Sequence, residues 1–284
     1  MTISASSVLV ELNISVWTAN KLDKNATNTV IADSAAQVSD AAQVRKNLMA
    51  GTSARKKIAD FAAGCRLWHN TRTLPWSDKG PRLLPTSLFM DYKQEMNARR
   101  DMFEEMTRDF IGDYPNLQSI AQNSLGTLFN PDDYPSPEEV RDKFGFRLVF
   151  SPLPESGDFR LDIPQRDMKE MKRTYDRAFD DRLASAMRTP WDKLHALITT
   201  MTNKLQEPDG EDNRRWHDSF VTNAQEMCDM LKHLNVTKDP ELERARQTLA
   251  NAMRGVFIGA VSSDPIIRTD LKDKLDQMLK GYEW

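Results

Sequence analysis

Between positions 55 and 82 the chain interleaves cations with flat rings: Arg55, Lys56, Lys57, Arg66, Trp68, His69, Arg72, Trp76, Lys79 and Arg82. Those residue types at close spacing suit the gripping of a single-stranded nucleic acid. Cations follow the phosphates while bases stack on planar side chains. The phosphate contacts expected here are Arg55, Lys56, Lys57, Arg66, Arg72, Lys79 and Arg82, with Trp76 as the stacking residue. Arg72, Trp76, Lys79 and Arg82 fall in a Pro/Gly-rich stretch, 70–85, which reads as an exposed basic loop. Trp68 shares a helical phase with Phe61 and Cys65, and Trp17 closes an alternating strand, so both are expected in the core.

Other chemistries lack their signatures. His69, His195, His217 and His233 lie in separate segments without HExxH, HxH or His-plus-Cys spacing, so no metal is expected. Cys65 and Cys228 are far apart with no CxxC, as in a reducing compartment. GxxxxGK[ST], GxGxxG and GxSxG do not occur, which removes the sequence support for phosphate-cradling loops and the hydrolase nucleophile elbow. Adjacent acids such as Asp132 with Asp133, or Asp180 with Asp181, point in different directions on a helix and do not form an acid/base pair. The expectation is a non-enzymatic protein without a cofactor. A second cationic stretch, Lys169, Lys172, Arg173, Arg177 and Arg182, is interrupted by Asp167, Glu170, Asp176, Asp180 and Asp181. Mixed-sign helices of this kind are solvated faces laced with ion pairs, and no role is assigned to it.

The elements that must position these residues can be read from periodicity. Val8, Val10, Leu12, Ile14 and Val16 alternate, predicting a strand that ends near Trp17. Residues 23–45, poor in aliphatics, are an exposed helix or a mobile connector. Ile58, Phe61, Ala62, Cys65 and Trp68 predict an amphipathic helix over 53–69, and helical spacing resumes over 87–112, with a shorter helix after it. Ser136, Pro137 and Glu139 form a capping box with proline in the first turn. FRLVF at 146–150 and FRLDI at 159–163 read as an irregular hairpin that joins the first strand in a small sheet. Beyond 165 the pattern is helical, with starts marked at Thr189-Pro190, Asp239-Pro240 and Asp264-Pro265. The closing Tyr282, Glu283 and Trp284 are either a docking tip or aromatics packed on the body. The predicted fold class is α+β and predominantly α-helical. A small three-stranded β element sits on a large helical body, in one domain over 1–284 that is not an OB barrel.

Charge is unevenly spread. The net charge of the 284 residues is −3. Residues 41–82 nevertheless hold nine basic against two acidic residues, about +7, and the flanking sequence is acidic. This argues against a protein that coats nucleic acid indiscriminately and for a localised track. The longest apolar run, GVFIGAV at 255–261, is far short of the roughly 20 residues that cross a bilayer, and the first residues lack a signal peptide's basic region. A cytoplasmic protein without membrane association is expected.

Three stretches carry a resemblance: LNISVWTANKLDK (12–24), TLPWSDKGPRLLP (73–85) and FGFRLVFSPLPESGDFRLDI (144–163). In them the chain resembles the Drc-like single-stranded-DNA-binding RNA polymerase cofactors of Schitoviridae-type bacteriophages. The resemblance implies preferential binding of single-stranded DNA through a non-OB fold and support of the phage RNA polymerase at middle-gene promoters. It also implies a cytoplasmic location in the bacterial host. Single-stranded DNA and the polymerase are then the expected partners, and self-association stays open. The alternative is a helical adaptor that partners a phage ATPase or polymerase without touching nucleic acid.

Overall fold

The computed structural model describes residues 3–77, 80–155, 164–206 and 216–284. It is predominantly helical α+β, with 68% of the chain helical and a small antiparallel sheet of a few strands. In chain order the elements are α1 (Ile3–Ser6), β1 (Ser7–Ser15), β2 (Asn20–Leu22), α2 (Lys24–Asp33), β3 (Arg45–Asn47) and α3 (Ala54–Arg72). Next come β4 (Leu74–Pro75), β5 (Arg82–Pro85), α4 (Phe89–Leu125), α5 (Pro137–Arg141) and β6 (Gly145–Pro152). The remainder is helical: α6 (Gln165–Gln206), α7 (Ser219–Leu234), α8 (Pro240–Ala252), α9 (Ile258–Ser263) and α10 (Pro265–Gly281).

Where the sequence reads as one domain, the chain clusters into two compact units. The first comprises Met1–Glu11, Asn70–Tyr92 and Val149–Trp284, and the second Leu12–His69 and Lys93–Leu148. The core of the second unit gathers Trp17, Ile58, Ala62, Phe103, Phe110, Tyr114 and Val140. Trp17 meets Phe110 and Tyr114 edge-on, at ring-centroid distances of 6.4 and 5.9 Å. The 23–45 segment contributes the mostly exposed α2, capped by the Asp23 carboxylate, which accepts from the Ala26 N–H. Lys46 ties this unit together: its ammonium lies 2.5 Å from Asp133 and 3.4 Å from Asp23 and donates to the Leu128 carbonyl. Gly51, at φ +78°, holds the left-handed conformation that favours glycine, and a Cβ there would crowd Ser124 Oγ.

The larger sheet has the order β4-β5-β1-β6. Val8 pairs with Leu84, Leu9 with Leu83, and Leu74 with Leu83. The segment 70–85, expected as a loop, is therefore corrected to two short strands. Leu74, Leu83 and Leu84 are fully buried, and that gain outweighs the prolines, since Pro75 lies on the edge strand β4 and Pro85 ends β5. The predicted partner strand at 159–163 lies outside the described residues. Helices α6, α7, α8 and α10 share a core of Leu194, Ile198, Leu231, Leu249, Leu271 and Leu275.

Two of the three proline starts hold. Asp239 caps α8 by accepting from the Glu241 and Leu242 N–H groups, and Asp264 caps α10 through Ile266. Thr189-Pro190 does not start a helix, because α6 runs through it. Pro190 is buried in the same stripe as Ala186, Leu194 and Ile198, so burial of a continuous face offsets the lost hydrogen bond. Pro115 is likewise accommodated inside α4, merging two expected helices into one. The helix that starts at Pro240 stops at Ala252, and the chain then turns through Gly255 at φ +74°.

Candidate nucleic-acid interface

The sequence-predicted cations of α3 divide by helical phase. Arg55 and Arg66 are eleven residues apart, close to three whole turns, and so share a face. Both are used internally. Arg55 Nη1 donates to the Trp17 and Thr18 carbonyls at 3.2 and 3.3 Å, and Arg66 Nη2 donates to the Ile14 carbonyl at 2.7 Å. These guanidiniums satisfy carbonyls of the chain leaving β1, a structural task the sequence did not reveal. Lys56 and Lys57 are exposed, and Lys56 pairs with Asp60 at 2.5 Å. Trp68 lies beneath the Arg99 guanidinium, 5.0 Å from the ring centroid.

Arg72, Trp76 and Arg82 belong to the other unit, while Lys79 lies outside the described residues. Trp76 is only 6% exposed and packs edge-on against Phe179 at 5.1 Å. Its ring completes the small core formed by Leu9, Leu74, Leu83 and Ala186, so the expectation that it presents a stacking face to solvent is corrected. The physical reason is pairing of β4 with β5, which draws the tryptophan inward instead of leaving it on a loop. Arg82 is half-buried. Its Nε donates to Thr73 Oγ1 at 2.7 Å and its Nη2 to the Thr73 carbonyl at 3.0 Å. Arg72 is also half-buried and donates to Thr71 Oγ1.

A cationic surface that sequence reasoning set aside stands on α6. Arg166, Lys169, Arg173 and Arg177 recur at steps of three, four and four residues, which places them on one helix face. All four are exposed, as is Lys172 beside them, and none of the five forms an ion pair with a described carboxylate. The face spans eleven residues, about 16 Å of helix axis at 1.5 Å per residue. Glu170, four residues past Arg166, and Asp180, three past Arg177, share this face, and Asp176 lies beside it, four residues past Lys172 and three past Arg173. The 3-4-4 spacing was visible in the sequence. In the sequence the interleaved acids read as ion-pair lacing, whereas in the fold these cations pair with no described carboxylate.

On another side of α6, that helix and the β4–β5 strands line an open cavity of about 460 Å³ with Pro75, Trp76, Ser77, Arg82, Arg182 and Ser185. Nearby on the same helix, Lys193 Nζ donates to the Asn70 carbonyl at 3.0 Å. Burial, and after it the Arg82 guanidinium, holds the Lys193 amine down to about 8. At the far end of the chain Trp284 packs on Trp191 and His195, at 5.7 and 4.9 Å. The terminal aromatics thus follow the packed alternative rather than the docking tip.

Among the described residues there is no His, Cys, Asp and Glu group able to hold a metal ion, and no helix is long and apolar enough to cross a membrane. The two cysteines are buried and unpaired, and burial pushes both thiols up. No protein-family model, curated protein or solved structure matches the chain.

Proposed function

We propose that the protein is a non-enzymatic single-stranded-DNA-binding protein acting as a cofactor of a phage RNA polymerase. The strand's phosphates would run along the cationic face of α6. The observation that carries this reading is the group of five exposed cations, Arg166, Lys169, Lys172, Arg173 and Arg177, in about three turns of one helix without carboxylate partners among the described residues. Cations left unneutralised in this way suit a polyanion, because contact releases the counterions condensed on its phosphates. The preference for a single strand and the transcriptional setting rest on the resemblance in residues 12–24, 73–85 and 144–163.

Fluorescence anisotropy with a labelled 30-nucleotide single strand and its duplex, over a salt series, tests the reading. Five phosphate contacts correspond to a log–log salt slope of about −3.5 on single strands. Salt-sensitive binding that favours the single strand is the expected result. Absence of binding to either form at low salt would overturn it.

A further inference from the structure

The cavity beside Trp76 has a chemistry of its own. Two guanidiniums, Arg82 and Arg182, and two hydroxyls, Ser77 and Ser185, line a space of about 460 Å³. That volume lies within the roughly 300–1,000 Å³ of small-molecule sites and is more than an isolated ion requires. Arg82 is fixed by two hydrogen bonds to Thr73, which leaves Nη1 with no partner among the described residues. Arg182 is exposed and makes no ion pair with a described carboxylate. Among the described residues no acidic side chain lines the cavity. Trp76 and Pro75 give it a rigid apolar wall, since Trp76 is held by Phe179.

We propose that this cavity takes a terminal phosphoryl dianion, the group carried by a 5′-phosphorylated nucleic-acid end and by inorganic phosphate. A terminal phosphoryl group carries about −1.5 to −2 charge at pH 7 and three acceptor oxygens, whereas an internal phosphodiester carries a single charge. Two planar forks and two hydroxyl donors match the first better than the second. The electrostatics agree, because Arg82 already acts on a neighbouring amine, holding Lys193 low after burial has done so. Arg182 stands on the same helix as the cationic face, five residues past Arg177, which turns it about 140° away from that face at 3.6 residues per turn. The strand-end form of the inference rests on the nucleic-acid reading above.

Isothermal titration compares inorganic phosphate, 5′-phosphorylated thymidine dinucleotide and its 5′-hydroxyl form. The phosphorylated dinucleotide should bind at least about tenfold tighter than the hydroxyl form, the worth of one charge-assisted hydrogen bond. Arg182→Ala and, separately, Ser185→Ala should reduce that difference. Both side chains are exposed with no described partner, so the fold is retained. Both variants should bind a 5′-hydroxyl 30-nucleotide strand as the parent does. Inorganic phosphate binding as tightly as the phosphorylated dinucleotide supports the dianion site with free phosphate as its source. Equal affinity for the phosphorylated and hydroxyl forms, or an Arg182→Ala protein that still distinguishes them fully, would overturn the inference even if the 30-nucleotide strand binds. Failure of that strand as well would overturn the strand-end form together with the nucleic-acid reading.

Discussion

Replacing Trp76 by alanine separates a stacking residue from a core residue by sign as well as by size. The ring is 6% exposed, stands edge-on to Phe179 at 5.1 Å and closes a cluster with Leu9, Leu74, Leu83, Leu153 and Leu234. Truncating a buried tryptophan of this kind costs about 3–5 kcal/mol, of which about 1 kcal/mol is the lost aromatic edge contact. With a urea m-value of about 2 kcal/mol/M, a cost near 4 kcal/mol moves the unfolding midpoint of the first unit down by about 2 M. Urea titration followed by far-ultraviolet circular dichroism reads that shift, and Trp76→Phe should recover most of it. Below the lowered transition, affinity for a single-stranded oligonucleotide should stay within about twofold, because no base meets the ring. A stacked tryptophan would behave in the opposite way. An unchanged midpoint with a loss of about 1–3 kcal/mol of binding would refute the burial argument.

Neutralising the α6 face in a quadruple variant, Arg166→Gln with Lys169→Gln, Arg173→Gln and Arg177→Gln, should flatten the salt slope by about 2.8 on a single strand while leaving the circular dichroism unchanged. An undiminished slope in anisotropy would remove that face from the interface. Arg66→Ala should behave differently, costing about 1 kcal/mol of stability by urea titration through loss of its bond to the Ile14 carbonyl, with no change in salt slope. Lys193 gives a pH signature. Its amine sits at about 8 in the fold against 10.5 for a free lysine, so the unfolded chain binds more protons between those values, and stability rises as pH climbs from about 8 to 10.5. Thermal unfolding across that window should show the rise in the parent protein and lose it in Lys193→Met.

Much of the architecture was legible because local signals stood alone. Alternation from Val8 to Ile14 has one reading, and β1 follows it; the Ser136 capping box forms, with Ser136 Oγ accepting from the Glu139 N–H. Asp239 and Asp264 combine a cap with a proline in the first turn, and both start helices. Thr189-Pro190 has the proline without a side-chain cap, and Pro190 is absorbed into a buried stripe that only tertiary packing defines. The strands at 74–75 and 82–85 were hidden because two and four residues are too short to show a period, and their prolines read as breakers. For the site, residue type was legible but engagement was not. Arg55, Arg66 and Arg82 are cations in the sequence and hydrogen-bond donors to backbone carbonyls in the fold. Conversely, the acids around Lys169 and Arg173 stand at ion-pair spacing in the sequence, yet these cations pair with no described carboxylate in the fold.

Lysine acetylation footprinting by mass spectrometry, with and without a saturating single-stranded 30-nucleotide DNA, bears most directly on the central claim. Lys56 and Lys57 on α3 and Lys169 and Lys172 on α6 are all exposed, so each reacts in the free protein. Bound DNA should protect Lys169 and Lys172 and leave Lys56 and Lys57 as reactive as before. Protection confined to Lys56 and Lys57 would contradict the assignment of the strand to α6 and return the interface to α3.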